Sequence, residues 1–334
     1  MLSDLIPGKQ IGEILSFFFT FTIIFIAIVI FFENQDPSKT LAWLLVLIFL
    51  PVLGFILYVL IGRKFRKVKQ YQKKGLSILK EFSKIETALG QYLSEGQKYI
   101  EKHMPHKQRL INLTINAACS PYTINNKTEV LNTGAKTFQS FFEAMEKATH
   151  HIHLEFYIFR DDNIGTKMQN LLIKKAREGV EVRLIYDGYG SLKISKDFVN
   201  QMKENGVQIA VFSPLLFPLA NKRIDYRNHR KILIVDGKIG FVGGINVGDE
   251  YLGNTPDFSD WRDTHLRIEG DGVKLLQHIF LQDWCFTTQE NINGEIYYPL
   301  FTEIVGEELI QIAAGGPDSP WEPIMQIYFS MIAT

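Results

Sequence analysis

Two long runs without a charged residue open the chain, residues 14–32 (nineteen positions, mostly Phe and Ile) and residues 40–62 (twenty-three positions). Each is long enough to cross a hydrocarbon layer of about 30 Å. Only residues 33–39 separate them, so the pattern predicts a tight transmembrane helical hairpin, kinked in its second arm at Pro51 and Gly54. The exit of the second run is crowded by Arg63, Lys64, Arg66, Lys67, Lys69, Lys73 and Lys74, with no acid among them. The intervening loop carries two acids and one lysine. This asymmetry predicts a multi-pass membrane protein with both ends of the hairpin, and everything after it, in the cytoplasm. Anionic headgroups would add roughly 1 kcal/mol per charge to such a cluster near the surface. A cleaved leader is the weaker reading, because Lys9 is the one basic side chain ahead of the first run and no small-x-small site follows.

From 68 to 107 apolar residues recur at steps of three and four (Ile78, Leu79, Phe82, Ile85, Leu89, Tyr92, Leu93) within a polar background, the spacing of an amphipathic helix. The pattern then changes. Residues 151–159, 181–187 and 207–212 read as strands, and 135–148, 164–178 and 196–204 as helices, two of them stopped by Gly179 and Gly206. Strand and helix alternate, so the expected fold is α/β, with a mixed, largely parallel sheet covered on both faces. Residues 321–334 read as one more apolar-faced helix, after the turn-like Gly315-Gly-Pro-Asp318.

Composition narrows the function. The 334 residues carry 36 basic and 36 acidic side chains, so no overall positive field points to nucleic acid. Cys119 and Cys285 stand alone and suggest neither a disulfide framework nor a thiolate metal site. His150, His151 and His153 cluster, but Glu155 is the only acid near them at ligand spacing. No metal or cofactor is expected, and no phosphate-cradling glycine loop occurs.

The chemistry concentrates in Asn228-His-Arg-Lys-Ile-Leu-Ile-Val-Asp236 and the Gly243-Gly-Ile-Asn246 that follows. The apolar, β-branched run bounded by Asp-Gly reads as a strand beginning near Arg230. Side chains two apart share a face, so His229 and Lys231 project together, as a nucleophile and a cation for phosphoryl oxygens. Asp236 falls at an odd offset and is expected to support rather than to react. An acid amid apolar residues, such as Glu155, is costly unless paired, and is expected to anchor Lys231 or Arg230.

This H-x-K-x4-D-x6-G-G-x-N string resembles the signature of the phospholipase D superfamily. Residues 246–253 and 261–270, together with Glu33, Trp43, Pro51, Gly54, Tyr58 and Gly62 near the amino end, are similar to the bacterial cardiolipin synthases within it. The resemblance implies an α/β/α sandwich repeated in two halves that share one active site, each half contributing one motif. Residues 1–62 would be the membrane hairpin, 63–125 a basic and helical linker, 126–315 the first catalytic half and 316–334 the opening of a second, otherwise missing here. It further implies the motif His229, Lys231 and Asp236 as catalytic, with His229 attacking a phosphodiester to form a phosphatidyl-histidine. Lys231 and Asn246 would hold the non-bridging oxygens, Gly243 and Gly244 would admit the phosphate, and Asp263 would orient His229. The implied reaction joins two phosphatidylglycerols into cardiolipin with release of glycerol. A phospholipase D-type hydrolase, or an incomplete half that needs a homodimer or a partner chain, uses the same residues.

Overall fold

The structure, a computed structural model, describes residues 37–50, 100–118, 120–214, 227–253, 261–316 and 322–333, with scattered positions between 12 and 57. The chain divides into two compact units, residues 1–68 and 69–334. In the first, α1 (Pro37–Phe49) carries Leu47, which is buried with Ile26, and Trp43 packs on both. Among the described residues no helix is long and apolar enough to cross a membrane. Most of the two expected spans, the basic run after them and the expected helix up to residue 99 lie outside the described residues.

Among the described residues of the second unit, helical turns at 100–107 precede α2 (Gln108–Ala118), β1 (Tyr122–Thr123), β2 (Asn126–Thr133) and α3 (Gly134–Glu146). Next come β3 (His151–Phe156), α4 (Asn163–Arg177), β4 (Glu181–Asp187), α5 (Lys196–Glu204) and β5 (Gln208–Phe212). The expected helices and strands of this stretch appear within two or three residues of their expected bounds. Thr133, Asp162 and Ser195 cap α3, α4 and α5, each accepting a backbone N–H at the third position. After β5 come β6 (Ile232–Val235), β7 (Ile239–Gly243), β8 (Arg262–Gly270), α6 (Gly272–Thr288), β9 (Ile310–Gln311) and α7 (Pro323–Ala333).

A seven-stranded sheet forms in the order β2-β8-β7-β6-β3-β4-β5, while β1 pairs with β9 apart from it. Strand alternation sends β3 residues Ile152, Leu154 and Phe156 into one core, with Phe138 and Phe141 of α3 and Leu172 of α4. Ile232 and Ile234 of β6 face the other way, onto Leu276, Phe280 and Trp284 of α6. Both faces are therefore covered, as expected.

The expected predominance of parallel pairing is overturned. Only β3–β4 and β4–β5 run parallel, and every other neighbouring pair is antiparallel. One of these antiparallel pairs is made by a tight turn. Asp236 and Gly237 both have positive φ, 53° and 64°, and Lys238 N–H donates to the Val235 carbonyl at 3.0 Å. Two such central residues make the tight turn that joins antiparallel strands with the right twist, and β6–β7 is that hairpin.

Asp236 has a second task here. Its carboxylate accepts from the backbone N–H of Thr149, His150 and His151 at 2.8, 2.7 and 2.9 Å, and from the Thr149 hydroxyl at 2.9 Å. It thus ties the hairpin turn to the start of β3, at the end of the sheet away from His229. The catalytic place given to Asp236 by the motif is not where its side chain goes. Burial alone would raise this carboxyl, but the three backbone donors outweigh it and hold the group below the ordinary carboxylate range.

Replacing Asp236 by Asn should therefore cost on the order of 1–3 kcal/mol, since amide hydrogens then meet backbone donors. A depressed folded pKa contributes stability above the unfolded value, near 3.9, and loses it as pH falls through the folded value. The gap between wild type and D236N, measured by chemical unfolding at several pH values, should be full at neutral pH and close in acid. A gap that does not change with pH would contradict this assignment.

Candidate active site

Residues 227–231 approach β6 at the edge where β3, β4 and β7 end and β8 begins. The strand starts at Ile232, two residues later than its composition suggests. His229 is exposed and Lys231 is buried, yet both come to one platform. The His229 ring lies 4.7 Å from the Tyr157 ring, centroid to centroid, and the Lys231 ammonium lies 5.4 Å over it. Lys231 Nζ donates to the His229 carbonyl at 2.7 Å. The shared direction expected for the two side chains is what the structure shows.

Burial and neighbouring charges set the state of both groups. Desolvation, then the charge of Lys231, hold the His229 imidazole below the ordinary histidine range, while Asp187 pulls the other way. The ring is thus kept neutral, with a lone pair available for attack. Burial brings Lys231 down to about 8, and Asp263 opposes that fall. At neutral pH the ammonium remains charged in a poorly solvated place, where a cation acts on a phosphoryl group more strongly than in water.

Asp263 therefore acts on Lys231, and its recorded hydrogen bond is from the Thr264 N–H at 2.7 Å. A Cβ added to Gly244 would lie 2.1 Å from its carboxylate oxygen. At Gly243, which pairs with His265 across β7–β8, a Cβ would lie 2.5 Å from the His265 Cα and from the Thr264 carbonyl. Both glycines are thus required by the close passage of β8 and its carboxylate. Asn246 is engaged as well. Its carbonyl oxygen accepts from the Ile158 N–H at 3.0 Å and its amide donates to the Tyr251 hydroxyl at 2.9 Å, leaving one amide hydrogen for any substrate. Glu155, 1% exposed, accepts from the side-chain amide of Asn228, and the Arg230 charge acts on it from nearby.

Asp187 and Tyr157 at this edge lie outside the sequence expectations, and His265 lacks the lysine two residues on that marks His229. Asp187, at the end of β4, accepts from the N–H of Tyr189 and Gly190 and, at 3.2 Å, from that of Asn228. Tyr157 supplies the platform. His265, fully buried, has no hydrogen-bond partner at either ring nitrogen and is held down to about 3 by burial, then by Lys231. An Asp-Gly ending a strand was the available signal for Asp187; nothing in the sequence marks the other two. His151 and His153 are taken up by Gln277 and Arg183, and among the described residues no group of three His, Cys, Asp or Glu is placed to hold a metal ion.

Comparison with known proteins identifies the family. Residues 141–284 match the family described as cardiolipin synthase, PLD-like domain, and residues 20–63 match the phospholipase D-nuclease N-terminal family. The chain belongs with the phospholipase D-like proteins of the cardiolipin synthase family. A cardiolipin synthase of Halalkalibacterium halodurans is 46% identical over 94% of this chain and 62% of its own length. One from Alkalihalophilus pseudofirmus is 45% identical over 96% of this chain and 63% of its own. The chain thus spans about three-fifths of the length of these curated relatives. Among solved structures, NucT from Helicobacter pylori is 15% identical and aligns with 48% of this chain and 98% of its own, at a TM-score of 0.39.

In a cardiolipin synthase-like site of this kind, the charge on Lys231 should govern turnover at alkaline pH. The lysine loses its proton through about 8, so kcat/KM, which reports the free enzyme, should fall as pH rises through that value. Asp263→Asn removes the group that supports the charge and should move the fall to lower pH. An alkaline limb that stays put in D263N would separate Asp263 from Lys231.

Proposed function

We propose that the protein carrying this chain is a membrane-bound phosphatidyltransferase that makes cardiolipin from two phosphatidylglycerols. The observation behind it is the pairing of a neutral His229 with a charged Lys231 on the Tyr157 platform, within a family named for that product. His229 attacks phosphorus of the first lipid, Lys231 neutralises the oxygens as charge develops, and glycerol leaves. The hydroxyl of a second phosphatidylglycerol then attacks the phosphatidyl-histidine. Proton transfer to and from these alcohols is worth roughly 10²–10⁴ in rate. His229 is occupied as nucleophile, and His265 is buried and held down to about 3, so a second motif, in a further half or a second copy, supplies the acid.

The lipid substrate fits an enzyme held at the membrane by residues 14–62, with residues after 63 in the cytoplasm. In a cysteine-free background, Ser38→Cys should then react with an impermeant reagent outside intact cells and Gln72→Cys should not; the reverse pattern would invert the topology.

The activity is tested by giving membranes that contain the protein labelled phosphatidylglycerol and separating the lipid products. The expected result is cardiolipin and free glycerol, both lost in His229→Ala. Phosphatidic acid as the sole labelled product would make the protein a phospholipase D-type hydrolase, with water as the acceptor.

A further inference from the structure

Residues 228–231 send their side chains to two sides. His229 and Lys231 go to Tyr157, whereas Asn228 and Arg230 go to the opposite face, beneath α6. There the Asn228 amide donates to Glu155 and, at 3.5 Å, to Asp283 of α6. The Arg230 guanidinium donates to the same Asp283 oxygen and, at 3.1 Å, to the Gly315 carbonyl. The Asn228 side-chain Oδ1 accepts the Arg230 N–H at 3.1 Å, closing a turn over the motif.

Glu155 and Asp283 are 1% and 0% exposed. Two carboxylates that share one Asn228 amide out of water oppose each other's charge, and the Arg230 guanidinium offsets them. Burial, then Asp283, push the Glu155 carboxyl well above the ordinary range. The fold gains little from such a set, because apolar groups of the same volume usually serve a core as well as a buried ion pair does. What only this polar set supplies is direction, imposed on Asn228 and Arg230 and so on the residues that alternate with them.

We infer that Asp283 and Glu155 are positioning residues, which fix the 228–230 backbone through Arg230 and Asn228 and thereby aim the His229 ring and place the Lys231 ammonium. The inference rests on His229 and Lys231 as the reacting pair. Neither Asp283 nor Glu155 touches the substrate; both act from the far face of the sheet. A shift of about 1 Å in a reacting group costs about 10²-fold in rate, so small relaxations of this network are readable.

The test uses Asp283→Asn, Arg230→Lys, Glu155→Leu and Glu155→Gln in the protein carrying this chain. Three readouts are needed: kcat and KM for phosphatidylglycerol, the rate at which diethyl pyrocarbonate modifies His229 as mapped by peptide mass, and the melting midpoint. D283N and R230K should lower kcat by about 10–100-fold with KM nearly constant, and should change the His229 modification rate in folded protein. Glu155→Gln, the isostere of a protonated Glu155, should recover most of the rate that Glu155→Leu loses. Should D283N fail to fold, R230K decides by the same readouts, since Arg230 is a quarter exposed. A lowered melting midpoint with kcat and His229 reactivity intact would overturn the inference and leave a merely structural network. If wild type makes no lipid product, the proposed function fails, yet an unchanged His229 modification rate in the variants still overturns positioning and a changed one still supports it.

Discussion

Extended backbone turns successive side chains to opposite sides, and the active edge of this protein depends on that constraint. In Asn228-His-Arg-Lys231 it divides four polar residues into two pairs. One pair meets Tyr157 and the open edge of the sheet, and the other meets the carboxyls under α6. A one-residue slip would exchange them, putting His229 beneath α6 and Arg230 in the site. The register is held at both ends of β6. Asp187 accepts the Asn228 N–H before the strand, and Asp236 gathers three β3 amides after it.

The electrostatics follow from that placement. Burial makes the lysine less willing to carry charge, and burial together with the lysine's charge does the same to the histidine; the imidazole must be neutral to attack, and the ammonium must stay charged to receive a phosphate. Asp263 keeps the lysine on the charged side of neutrality, and Asp187 partly offsets the lysine's influence on the histidine. The glycines belong to the same arrangement, since Gly244 leaves room for the Asp263 carboxylate and Gly243 for His265.

Local pattern made much of this legible. The helices α3, α4 and α5 were legible, two of them from the glycines that stop them, and β3, β4 and β5 from the apolar runs between them. The His229 and Lys231 pairing followed from alternation alone. What local pattern misreports is long-range pairing. The Asp236-Gly237 hairpin signal is present in the sequence, but locally it marks only the end of a strand, and the pairing that makes the sheet mostly antiparallel is set by contacts far apart in the chain. The resemblance implies a phosphate contact for Asn246 and the glycines, whereas their partners within the protein, Ile158, Tyr251 and β8, are set by tertiary contact. Asp283 lies 53 residues beyond Arg230, a distance over which sequence spacing carries no information.

The central claim is that His229 bonds covalently to the phosphorus of the lipid. Quenching the protein in acid-free denaturant during turnover with phosphatidylglycerol and mapping its peptides by mass would test this most directly. The account predicts a phosphatidyl group on the peptide containing His229, labile to acid as a phosphoramidate is, and absent in His229→Ala. Turnover that continues with the adduct on another residue, or with none on His229, would contradict it.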